Sequence, residues 1–88
     1  MKTRSEIERE LEMRIERIKM VHTFGNDNEV DYERGYIHFL EWVLKNFNRL
    51  NQKAFVLKQL FQPLSSANQQ EGFRAAWRWL KSRVSLRT

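Results

Sequence analysis

Residues 31–50, DYERGYIHFLEWVLKNFNRL, decide how this chain folds. Tyr32, Tyr36, Phe39, Leu40, Val43, Phe47 and Leu50 recur there at helical spacing and fall on one broad face, with Ile37 and Leu44 at its edge. A face so rich in aromatic side chains has to be covered, so it marks the core. The same seam continues through Ala54, Leu57 and Phe61, which would suit a single helix from Asp31 to Gln62. Asn46, Asn48 and Asn51 argue against continuity. They are poor helix formers, the last well suited to an N-cap, and they favour a break near 48–51.

Towards the N-terminus, Thr23-Phe24-Gly25-Asn26-Asp27-Asn28 concentrates turn formers, with Gly25 placed to follow one helix and Asn28 or Asp27 to cap the next. Glu29 and Asp31 then sit favourably against the positive end of the second helix. Further upstream, both Thr3-x-x-Glu6 and Ser5-x-x-Glu8 match a capping box. The spacing Ile7, Leu11, Ile15, Ile18, His22 predicts a first helix over 5–22, supported by the pairs Glu6/Arg9, Glu10/Arg14 and Glu16/Lys19. The two helices are expected to form an antiparallel hairpin.

Towards the C-terminus, Gln62-Pro63 ends the aromatic segment, because proline has no N–H to donate. Leu64-Ser65-Ser66 reads as a linker, and Ser66-x-x-Gln69 as another capping box. Phe73, Ala76, Trp77, Leu80 and Val84 predict a final helix over 67–82. A competing reading takes 79–87 as a strand, on its alternation. A possible echo links Gly35-Tyr36 and Trp42-Val43 with Gly72-Phe73 and Trp79-Leu80. Either it records a duplication, or each glycine lets a neighbouring helix approach while a tryptophan one heptad on covers the gap.

The expectation is therefore one all-α domain over residues 1–88, a small bundle of three to four helices beginning with the hairpin and ending in a basic tail over about 83–88. Eighty-eight residues leave no room for a second lobe, and 41% apolar residues suffice for a compact core. Without cysteine there is neither a disulfide framework nor a thiolate metal site. The charged N-terminal residues carry no apolar leader. The apolar run 37–44, interrupted by His38 and Glu41, is too short to span a membrane, so a cytoplasmic protein is expected.

The net charge of +5 is unevenly distributed. Glu6, Glu8, Glu10, Glu12 and Glu16 crowd the first helix, whereas Arg74, Arg78, Lys81, Arg83 and Arg87 follow Gly72 with no acid among them. Such an end favours an anionic partner: a nucleic acid, a membrane surface or an acidic protein groove. Trp42 lies off the core stripe of its helix, beside His38, Lys45 and Arg49. An indole among cations can stack on a base or anchor a protein interface, or else pack beneath the last helix with the cations around its rim. In the last helix Arg74, Arg78 and Lys81 form a basic ridge and Trp79 lies on a third side. Met13 and Met20, one heptad apart and away from the Ile/Leu stripe, read either as a partner or self-association seam or as an ordinary pair of partly exposed methionines.

No glycine-rich phosphate loop, cysteine nucleophile or paired buried carboxylates are recognisable, which argues against an enzyme and against a cofactor. His22 and His38 are lone histidines without a matching partner at helical spacing, so no metal site is expected.

Leu50-Asn51-Gln52-Lys53-Ala54-Phe55 and Gly72-Phe73-x3-Trp77-Arg78-Trp79-Leu80, with Gly35-Tyr36-Ile37-His38-Phe39-Leu40 at roughly the matching place, resemble segments of the small all-helical anti-sigma co-activator proteins of T4-type bacteriophages. The motifs cover about a quarter of the chain, with different spacing between them. The resemblance implies docking on the promoter-recognition part of a bacterial RNA polymerase sigma subunit, through the first helix and the Phe39-Leu40 region. The strong basic balance and the added tryptophans depart from it. The functional expectation is a non-enzymatic regulatory or inhibitory adaptor of phage type that binds a host protein of a nucleic-acid machine. The alternatives are direct DNA or RNA binding by the basic C-terminal helix and tail, through Arg74, Arg78, Lys81, Arg83 and Arg87 with Trp42 or Trp79 stacking, and a structural homo-oligomer built on the seam from Val43 to Phe61.

Overall fold

The computed structural model describes residues 2–49 and 66–82, and those residues form helices without a strand. Helix α1 spans Arg4–Phe24, α2 spans Asp27–Lys45, a 3-10 turn follows at Phe47–Arg49, and α3 spans Ala67–Lys81.

Each helix start is fixed by a side chain that satisfies an otherwise unpaired N–H. The Thr3 hydroxyl accepts from the Glu6 N–H at 3.2 Å while the Thr3 N–H donates to Glu6 Oε1 at 2.8 Å. Of the two candidate boxes only this one forms, because Ser5 already lies inside the first turn. Helix α2 starts earlier than Asp27 or Asn28 would allow as caps. Asn26 accepts from Glu29 N–H at 2.9 Å, and Glu29 reaches back to the Asn26 N–H. Asn26 takes the role because Glu29 stands three residues later, completing a reciprocal box. At α3, the Ser66 hydroxyl accepts from the Gln69 N–H at 3.1 Å.

The first helix runs past its expected end, the favoured break after the aromatic helix falls earlier than 48–51, and the two competing readings fail. The first helix continues to Phe24, and Gly25 closes it with φ of −98°, outside the left-handed region, donating its N–H to the Val21 carbonyl. Helix α2 ends at Lys45, so the continuous helix over 31–62 does not form. Asn46 stops it, its side-chain amide donating to the Trp42 carbonyl at 2.9 Å while its own N–H donates to Trp42 and Val43. The competing strand over 79–87 fails where it can be seen, since residues 79–81 are helical. Residues 83–87, Leu50, Ala54, Leu57, Phe61 and the 62–65 linker lie outside the described residues.

Contacts Arg4–Leu44, Glu10–Tyr36 and Arg14–Glu33 show α1 and α2 running antiparallel, as a hairpin must. Helices α2 and α3 instead run in the same direction, with Asn28 beside Asn68 near their starts and Phe39 against Phe73 and Trp77 further along. The exit of α2 and the entrance of α3 therefore lie at opposite ends of the pair.

Two glycines set how closely these parallel helices approach. A Cβ on Gly35 would collide with the carbonyl of Gln69, and one on Gly72 with the carbonyl of Tyr32. One 37-residue offset relates Tyr32 to Gln69, Gly35 to Gly72 and Trp42 to Trp79, so the contact is reciprocal. The echo in the sequence is thus used for packing: glycine removes the Cβ where backbones meet, and larger side chains fill the flanks. Phe39, Leu40, Val43, Phe73, Ala76 and Leu80 are fully or almost fully buried along this seam, joined by Tyr36 and, from α1, by Ile7. Phe39 meets Phe73 edge-on at 4.8 Å between ring centroids, a favoured aromatic geometry.

Candidate functional site

Helix α1 reaches the core differently. Of Ile7, Leu11, Ile15, Ile18 and His22, the structure buries Ile7 and half-buries Leu11 and Ile18, leaving Ile15 and His22 exposed. The face turned to α2 is Ile7, Leu11, Arg14, Ile18 and Val21. Its centre is ionic. Arg14 Nη1 donates to both carboxylate oxygens of Glu33 at 3.1 Å, and Arg17 Nε lies 3.1 Å from Glu33 Oε2. Arg14 Nε also donates to Glu10 at 3.4 Å, the Tyr36 hydroxyl donates to the same Glu10 oxygen, and the Arg14 guanidinium lies 3.7 Å from the Tyr36 ring centroid.

The Glu33 side chain is only 5% exposed, tolerable because two guanidiniums replace the water it loses. Burial pushes the Tyr36 phenol well above its ordinary pKa; Glu10 adds to this and Arg14 opposes it. Burial alone would lower the Arg14 pKa, but the hydrogen bonds to Glu33 together with the charge of Tyr36, Glu33 and Glu10 raise it overall. Among the described residues no buried side-chain N or O atom lacks a hydrogen-bond partner. The network is a satisfied clamp between helices.

With its inner face committed, α1 presents an outer face that carries large apolar groups. Met13 is 59% exposed, Met20 63% and Phe24 83%. They line a groove of about 820 Å³, with Arg9, Glu12, Glu16 and Arg17 around them and Gly25 and Glu29 at the hairpin end. The Met13 and Met20 seam picked out in the sequence is thus a real surface feature, and Phe24 extends it by one helical turn. The overlooked signal for Phe24 was that α1 runs past His22, which brings it onto the methionine face.

The basic residues of α3 form a separate surface. Ala67, Glu71, Arg74, Arg78 and Lys81 are all exposed, at heptad spacing along one stripe. Arg78 Nη2 lies 3.6 Å from Glu71 Oε2, and Lys81 Nζ lies 5.2 Å from the Trp77 ring centroid. Arg83 and Arg87 lie outside the described residues.

The tryptophans offered as stacking groups are only partly available. Trp42 is half-buried and stacks on Phe39 at 5.8 Å, and Trp79 is half-buried with Lys2 Nζ 5.1 Å from its ring. Both pack against the core cluster. His38 and Lys45 are exposed, His38 with its ring 5.9 Å from Phe73; the Arg49 side chain lies outside the described residues. Phe39 and Leu40, which the phage-protein resemblance would place in a docking surface, are fully buried and serve the core instead.

Among the described residues no group of His, Asp and Glu is arranged to hold a metal ion, and no helix is long and apolar enough to cross a membrane. Compared with models of known protein families, with curated proteins and with solved structures, the chain matches none.

Proposed function

We propose that this protein is a non-enzymatic adaptor that binds another protein through the outer face of α1. The observation that carries this reading is the stripe of Met13, Met20 and Phe24, all more than half exposed along one groove. Flexible thioethers and an aromatic ring make adaptable apolar contacts, and a charged rim supplies orientation; this is the composition of a protein interface rather than of a solvated helix face. The partner we favour is a host protein of a nucleic-acid machine, with regulation or inhibition as the outcome and a phage as the source. Supporting that choice are the basic character of the rest of the chain and the part of the phage-protein resemblance that assigns the first helix to docking; its other part, Phe39-Leu40, is buried in the core.

The test is affinity capture from bacterial lysate with the wild-type protein and with Met20→Glu and Phe24→Ala, followed by identification of the retained proteins. Both substitutions leave circular dichroism and urea unfolding within about 0.5 kcal/mol of wild type, because exposed side chains contribute little to stability. A partner held by wild type and lost from both variants is the expected result. A partner retained equally by all three rules out the α1 face.

A further inference from the structure

The exposed stripe of α3 is built differently from that of α1, and the difference selects a different partner. We infer that Arg74, Arg78 and Lys81 form a second binding surface, for the phosphate backbone of a nucleic acid. This surface goes beyond the proposed protein contact and uses another helix.

Three observations carry the inference. The stripe Ala67, Glu71, Arg74, Arg78, Lys81 offers three cations and no large apolar side chain, whereas the centre of a protein interface is depleted of charge and anchored by apolar groups. A phosphate backbone asks for the reverse: cations in register, with no apolar anchor. At about 1.5 Å per residue, Arg74 to Lys81 spans roughly 10 Å, the rise of about three nucleotides of one strand. Finally, the helix dipole accounts for cations in the last turn, where Arg78 and Lys81 sit, but not for Arg74 in the middle of α3.

Glu71, the one acid on the stripe, lies beside Arg78 and competes with an incoming phosphate for it. The neighbouring indoles, Trp77 and Trp79, are half-buried and covered in part by Lys81 and Lys2. Binding therefore reads charge rather than bases, and duplex and single-stranded nucleic acids are both accepted.

The experiment is a fluorescence-anisotropy titration of the full chain with labelled duplex DNA, single-stranded DNA and RNA, starting at low salt. Binding is expected to weaken steeply with salt. Arg74→Gln, Arg78→Gln and Lys81→Gln should each reduce the slope of log affinity against log salt by about 0.9 on duplex. Arg9→Gln, on α1, should leave that slope unchanged, and Glu71→Gln should raise affinity several-fold by removing the competing carboxylate. Absence of binding at low salt, or a slope equally sensitive to Arg9→Gln, overturns the inference. Equally tight binding of a polyglutamate peptide of matched charge overturns it in favour of an acidic protein.

Discussion

The two seams of this bundle solve the same problem with opposite chemistry. Between α2 and α3, glycines at 35 and 72 let the backbones touch, and aromatic and aliphatic side chains close the flanks. Between α1 and α2, one fully buried isoleucine is supplemented by a carboxylate gripped by two arginines. An apolar seam gains free energy by area and tolerates no added volume. An ionic seam gains little over its desolvation cost, fixes register, and fails when one partner is removed. The contrast predicts that α2 and α3 make the more rigid unit and that α1 opens more easily, with its outer face left exposed.

The contrast breaks most severely at the glycines. Gly35→Ala is expected to lower unfolding free energy by about 3 kcal/mol in urea titration, because the clash is with a backbone carbonyl and the helices must separate. That outweighs the roughly 1 kcal/mol by which alanine is the better helix former. Gly72→Ala should cost a similar amount by reciprocity.

A smaller loss is expected at the clamp. Glu33→Gln keeps the shape and removes the charge, and should cost about 2 kcal/mol. This falls below the roughly 3–5 kcal/mol of a fully buried broken pair, because Arg17 is 66% exposed and Arg14 21%, so water can serve both. A double-mutant cycle with Arg14→Met should return a coupling energy well above that of the exposed pair Glu16–Lys19.

The mildest effect is at alkaline pH. The Tyr36 phenol has a folded pKa raised above its unfolded value of about 10, so the unfolded chain loses its proton first. Its stabilising contribution is complete below pH 10 and declines as pH rises beyond that. Thermal melts from pH 9 to 11 should therefore fall more steeply for wild type than for Tyr36→Phe.

Much of the fold is legible in the residues, and the gaps have physical causes. Thr3 with Glu6, Ser66 with Gln69, and the aromatic face of 31–47 each contain enough local chemistry to place an element. The asparagines marked the break, but composition could not choose among Asn46, Asn48 and Asn51; Asn46 takes the role because its amide reaches the Trp42 carbonyl. The repeated glycine-to-tryptophan spacing hinted at the crossing, but no local rule tells that α2 and α3 run in the same direction. The clamp is not legible from local spacing, which pairs Arg14 with Glu10 on its own helix and gives Glu33 no partner. Arg14 falls between Leu11 and Ile18 on the inward face, and Glu33 lies seven residues before Leu40; opposite charges embedded in two facing stripes were the available signal. Of the candidate binding residues, the sequence located the cations of α3 and the methionines of α1. For Trp42 the packing alternative holds in part, since the ring is half-buried against the core, whereas nothing local announced the same for Trp79.

The measurement that bears most directly on the two-seam picture is native-state hydrogen exchange, followed amide by amide at low and high salt. Amides of α2 and α3 should exchange together at the global unfolding free energy. Those of α1 from Arg14 onward should open at lower cost, and only theirs should loosen further in high salt or in Glu33→Gln. A single common opening energy for all three helices, insensitive to salt and to Glu33, would contradict it.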